Sequence, residues 1–126
     1  MTNPMTNERE ILHAAYRDFN ARNIDAVLSR MQADVAWANG MEGGHVHGKD
    51  AVRAYWTRQF MTLNPCVDPV RIVPGEDGGW MVEVHQVVHD VQGSLLVDTV
   101  VFHRYEFRGG LISRMDIRHP HEASNS

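Results

Sequence analysis

The segment "GGHVHGKDAVRAYW", residues 43–56, sets His45 and His47 two positions apart in a glycine-rich stretch that runs straight into an amphipathic segment. From an extended backbone both imidazoles could face one metal ion, but such a site needs a third ligand. Neither Glu42 nor His121 stands at a recognised ligand spacing. As a catalytic loop, the stretch would use His47 at the start of the helix, where the dipole favours neutral imidazole. As a helix entry, it uses Gly48 for the tight turn and Asp50 for negative charge in the first turn. The helix entry is the reading expected here, with the loop bordering a pocket mouth, no metal and no cofactor. "RGGL" at 108–111 lacks the strand–turn–helix context of a phosphate loop.

These residues must be positioned by the elements around them. Asn7, with Glu10 three residues later, has the form of a capping box, and Ile11, Leu12, Ala15, Tyr16 and Phe19 recur at helical spacing, so a first helix is expected over 8–21. A second, capped by Asn23, carries Ile24, Val27, Leu28 and Met31 on one stripe. "DVAWAN" at 34–39 reads as a strand with Val35, Trp37 and Asn39 on one face. Gly40, Gly43, Gly44 and Gly48 make a loop. Val52, Tyr55, Trp56 and Phe60 then mark a third helix from Lys49 to about Thr62. Four strands are expected at 70–73, 80–91, 95–107 and 111–119, separated by "EDGG", "QGS" and "RGG", the turn chemistry of successive hairpins. Helices first and an antiparallel meander after them predict an α+β fold with the helices on one face of the sheet and a pocket at the mouth of a cone.

The chain has 126 residues, which suits one domain with a core over about 8–119 and polar ends. A net charge of −4 gives no basic footprint, which argues against nucleic acid. No apolar run is long enough to span a bilayer. One cysteine and an N-terminus without an apolar targeting segment predict a cytoplasmic protein.

The element order, together with "NARNIDAVLSRMQADVAW", "HGKDAVRAYWTRQF" and "RYEFRGGLISRMDIRHP", resembles the SnoaL-like and ketosteroid isomerase-like members of the nuclear transport factor 2-like superfamily. The resemblance covers about Ile11 to His119 and implies a cone-shaped α+β fold. It also implies departures from the isomerase pattern. The general-base aspartate falls on Asn39, whose amide has no useful basicity. The oxyanion-hole tyrosine falls at or beside Ala15, with Tyr16 one step away, and the protonated aspartate of the long strand falls on His103.

The same carry-over implies which strand faces look into the cone. Thr99, Val101, His103, Tyr105 and Phe107 form one inward set, Ser113, Met115, Ile117 and His119 another, and Trp80, Val82, Val84, Gln86 and Val88 a third. With Trp37, Asn39, Tyr55 and Trp56 they make a pocket for a small apolar or aromatic molecule. His103 is then either an acid/base held by a partner on its second nitrogen or a core histidine bonded to its surroundings. His119 is a second acid/base beside it or a cap on the strand end. Asn39 and Gln86 either donate to a substrate carbonyl or satisfy each other and the backbone. Trp37, Tyr55, Trp56, Tyr105 and Met115 are the expected pocket walls. Two functions stay open: proton-transfer chemistry on a small carbonyl or hydroxyl compound, and binding or assembly without turnover. The opposite sheet face carries Glu83, His85, Val87, His89, Val100, Phe102 and Arg104, a mixture that suits a homodimer interface, as is usual in that superfamily.

Overall fold

The computed structural model describes residues 4–40 and 42–119, with side chains from residue 7 onward. In chain order the elements are α1 (Pro4–Asn20), α2 (Ile24–Leu28), β1 (Met31–Ala38), β2 (His45–His47), α3 (Lys49–Thr62), β3 (Leu63–Pro74), β4 (Trp80–Asp90), β5 (Leu95–Arg108) and β6 (Leu111–Arg118). The six strands form one sheet in the order β2-β1-β6-β5-β4-β3. Only β1 and β6 run parallel; every other neighbouring pair is antiparallel. The result is the expected α+β cone. Its core joins Leu12 of α1 and Val52 of α3 to Val35, Val82, Val84 and Ile112 of the sheet, all fully buried. The buried Trp80 donates its indole N–H to Glu8 of α1 across 2.8 Å, which ties that helix to the sheet.

Several boundaries differ from the sequence expectation. α1 begins at Pro4, so Asn7 lies inside the helix rather than capping it. Proline suits a first turn, where a backbone N–H has no partner to lose. α2 stops at Leu28, and Asn23 makes no side-chain capping bond. Met31 is instead the fully buried first residue of β1.

"HVH" is a strand, not a loop, with His45, Val46 and His47 opposite Ala38, Trp37 and Ala36. Gly48, at φ 89°, turns the chain from this strand into α3, a conformation that strains any residue with a Cβ.

β3 is three times longer than expected because its prolines did not end it. Pro65, Pro69 and Pro74 all lie within it, and it is the outermost strand, where a missing N–H breaks no ladder. Asn20 fills part of that open edge. Its amide donates to the Val67 carbonyl at 2.8 Å, and Val67 N–H donates back to Asn20 Oδ1 at 2.9 Å.

Two β-bulges alter which residues face the cone. Arg114 pairs with Glu106 and Ile112 with Phe107, which leaves Ser113 as the extra residue on β6. Ile112 is accordingly the fully buried one, while Ser113 donates its hydroxyl to the Glu106 carbonyl. Likewise Val88 pairs with Val97 and His89 with Leu95, so Leu96 is the extra residue on β5.

Candidate functional site

Helices and sheet enclose a cavity of about 310 Å³. α1 contributes Ala15, Tyr16 and Phe19, α3 contributes Tyr55, Trp56 and Gln59, and the sheet supplies most of the remaining wall. Of the expected site residues, His103, Tyr105, Gln86 and Met115 line it from the sheet, and Trp37, Tyr55 and Trp56 complete the aromatic wall. Trp37 meets Trp56 edge to face at 5.5 Å between centroids and Tyr105 at 6.1 Å, which fixes one side of the wall as a packed aromatic cluster. Leu96 and Val97 both line the mouth although they are consecutive, a consequence of the bulge between them and β4.

Asn39 and His119 are not among the lining residues. Asn39 is buried and organises the chain after β1: its Oδ1 accepts from Glu42 N–H at 2.9 Å, its own N–H donates to the Gly44 carbonyl, and its carbonyl accepts from Gly43. His119 is exposed, one residue past the end of β6. Thr99 is exposed as well, on the part of β5 that extends beyond β6.

His103 lies on the cavity wall at 8% exposure, with Tyr16 Oη 2.7 Å from its Nδ1. The Tyr105 hydroxyl donates to Tyr16 Oη across 2.9 Å, so three polar groups form one buried chain across α1 and β5. The Tyr16 and His103 rings are stacked with 13° between their planes. Because Tyr105 gives its hydrogen to Tyr16, the hydrogen of Tyr16 is available to His103 Nδ1, and Nε2 then carries the imidazole proton. The other neutral tautomer reverses this bond: Nδ1–H donates to Tyr16, whose oxygen accepts twice, and Nε2 becomes the basic nitrogen. Either way Nε2 is the nitrogen turned away from Tyr16.

Burial pushes His103 down to about 4, so it is neutral at physiological pH. Burial also raises Tyr16 and Tyr105, each coupled to the other through their hydrogen bond. Among the described residues that line the cavity there is no aspartate, glutamate, lysine or arginine. The site is therefore a largely apolar, aromatic chamber that holds the His103 imidazole uncharged.

Tyr16 is the residue that sequence reasoning missed as a partner. It stands on the apolar stripe of α1, and its phenol carries no charge that would mark it as a partner of an imidazole. The signal was present in its position one step from the residue that the family pattern marks.

His45 and His47 lie elsewhere. Across Ala38, whose small side chain leaves room, His45 Nε2 reaches Asp116 Oδ1 at 2.8 Å. Arg114 holds the same carboxylate, Nε to Oδ2, at 2.9 Å. Burial pushes the Asp116 carboxyl up, but the bonds from Arg114 and His45 outweigh it and leave it below its ordinary range. Among the described residues no group of three or more histidine, cysteine, aspartate or glutamate side chains is placed to hold a metal ion.

The model of the SnoaL-like domain matches residues 12–115, a span that contains the whole helical layer from Leu12 and all six strands as far as Met115. The chain belongs to the SnoaL-like family. Solved structures agree on the fold. This SnoaL-like chain is similar to a nuclear transport factor 2-like protein of unknown function from Burkholderia pseudomallei, at 21% identity and TM-score 0.79, over 94% of each chain. It is similar to TerC, co-crystallised with polyporic acid, at 23% identity and TM-score 0.78, over 94% of this chain and 95% of that one. A protein of ketosteroid isomerase-like fold from Catenulispora acidiphila, in complex with trimethylamine, matches at 16% identity and TM-score 0.75, over 87% and 85%. No curated protein matches the chain by sequence. Among the described residues no helix is long and apolar enough to cross a membrane.

Proposed function

We propose that this SnoaL-like protein takes up a small, uncharged, largely apolar carbonyl or hydroxyl compound and bonds its oxygen to the His103–Tyr16 pair. Proton transfer at or beside that oxygen, as in an isomerisation, dehydration or cyclisation, is the chemistry that such a pair supports. The observation that carries the reading is the Tyr105–Tyr16–His103 chain on the wall of a largely apolar 310 Å³ cavity. A ligand with a formal charge finds no counter-ion among the described lining residues, and burying an unpaired charge is costly. In one tautomer Nε2–H donates to a carbonyl; in the other Nε2 accepts a proton. An imidazole held near 4 is a weak base, so it suits protons that are already acidic, such as those of an enol, a phenol or a carbon between two carbonyls. TerC, of the same fold, was crystallised with a small molecule.

A second reading, binding without turnover, is favoured by the identity of the partner of His103, a phenol rather than a carboxylate. Asn39 and His119 enter neither reading. We propose further that two copies associate through the outer sheet face, and that the exposed free thiol of Cys66 reflects a cytoplasmic location.

The test is a thermal-shift screen of neutral aromatic ketones and phenols on wild type, His103→Gln and Tyr16→Phe. Wild type is expected to be stabilised by members of the set, and both variants to lose most of that shift. A shift that survives both substitutions intact would remove the pair from the site. Turnover is read separately, by solvent deuterium exchange into the bound ketone; exchange by wild type but not by His103→Gln selects the catalytic reading.

A further inference from the structure

The cavity extends well beyond the His103–Tyr16 pair. His103 stands opposite Val82 on β4, and Gln86 lies four positions further along that strand, opposite Thr99. At about 3.3 Å per residue this sets Gln86 roughly 13 Å from the level of His103. Gln86 therefore belongs to the mouth, with Val88, Leu96 and Val97. Gln59 reaches the same end from the other side. It lies one turn before the end of α3, where Leu63 pairs with Asp90, the last residue of β4. Both glutamines line the cavity and are half-buried.

Four other amides of the chain are engaged by the protein itself, and the side chains of Asn7, Asn23 and Gln92 are exposed to solvent. Asn20 bridges Val67, Asn39 holds Glu42, Asn64 accepts from Arg22, and Gln32 bonds to Arg108. Among the described residues, no hydrogen bond is made by the side-chain amide of Gln59 or Gln86. An amide partly withdrawn from water without a partner is unfavourable to the fold. Two of them at one end of a cavity, with the Tyr105–Tyr16–His103 chain at the other and Phe19, Trp56 and Val67 also in the wall, form a chamber polar at both ends.

We propose that Gln59 and Gln86 form a second oxygen subsite at the mouth. The ligand is then an elongated, uncharged compound of two or three rings with an oxygen function at each end, one for His103–Tyr16 and one for the glutamine amides. This inference rests on the reading of His103–Tyr16 as the deep oxygen site. Each amide offers both a donor and an acceptor, so the mouth subsite accepts either a carbonyl or a hydroxyl.

The test uses two neutral rod-shaped probes, 4-phenylphenol with one hydroxyl and 4,4′-biphenol with one at each end, titrated by calorimetry into the whole protein. Wild type is expected to bind 4,4′-biphenol about tenfold more tightly than 4-phenylphenol, the effect of one additional hydrogen bond. The double variant Gln59→Leu/Gln86→Leu should lose that preference and bind the two within about twofold, the statistical advantage of a symmetric probe. Leucine in apolar surroundings should leave the fold intact, checked by an unchanged or higher melting temperature. Similar affinities in wild type, or a tenfold preference that survives in the double variant, would overturn the mouth subsite and leave the deep site standing. If neither probe binds wild type, the cavity reading and this inference fall together.

Discussion

His103 has two aromatic neighbours, the sequence-distant Tyr16 of α1 and Tyr105 two residues along its own strand, and neither carries a charge at neutral pH. Its proton affinity is therefore set by burial alone, which lowers it from 6.5 to about 4. The unfolded chain takes up a proton on this residue below about 6.5, while the folded chain does so only near 4. Between those values the unfolded state binds more protons, and stability falls as pH falls, by up to about 3 kcal/mol in total. Urea midpoints are expected to be flat in this respect above pH 7 and to drop between pH 6.5 and 4, and His103→Gln should remove that portion of the drop. Equal slopes in the two proteins would mean that His103 titrates freely. The place of His103 was legible from strand alternation and the family pattern. Its partner was not, because helical periodicity says which face of α1 is apolar but not which of those residues meets a strand 87 positions away.

At the scale of elements, long periodic segments were legible and short or interrupted ones were not. α3 and the three meander strands lie close to where their patterns put them, since eight or more alternating or helically spaced residues outvote local exceptions. β2 has three residues between glycines, too few to show a period, and β3 was hidden by prolines that only an edge position tolerates. The bulges at Leu96 and Ser113 depend on the partner strand and leave no mark in one strand alone. The turn between β3 and β4 also supports the site. A Cβ on Gly79 would overlap the carbonyl oxygen of Tyr105, the residue that donates to Tyr16. Gly79→Ala is expected to cost about 1–3 kcal/mol, because backbone rather than a flexible side chain must yield. It should also weaken any ligand shift that depends on His103. A wild-type melting temperature for this variant would show that the turn yields without disturbing β5.

For the whole molecule, the cone separates two surfaces of different character. Its interior holds the cavity, and its outer face carries Val87, Val100 and Phe102 as a half-buried apolar centre. Around that centre stand the ion pair of Arg104 with Glu106 at 2.9 Å and the hydrogen-bonded pair of His85 with Asp98 at 2.7 Å. Apolar centre and mixed-sign rim on one patch can meet their own copy across a two-fold axis, where each positive group finds a negative one. Sedimentation at micromolar concentration is accordingly expected to give twice the 14.3 kDa chain mass, and Phe102→Glu to shift the protein toward the monomer. Exposed Val91, Leu95 and Leu96 at the mouth are the alternative contact. If Leu95→Glu dissociates the dimer and Phe102→Glu does not, the interface lies at the mouth. The two arrangements also differ in their effect on binding. Contact through the outer face leaves both mouths open, so monomeric Phe102→Glu should hold a neutral phenol with wild-type affinity, whereas a dimer closed over the mouths would bind ligand more tightly once broken.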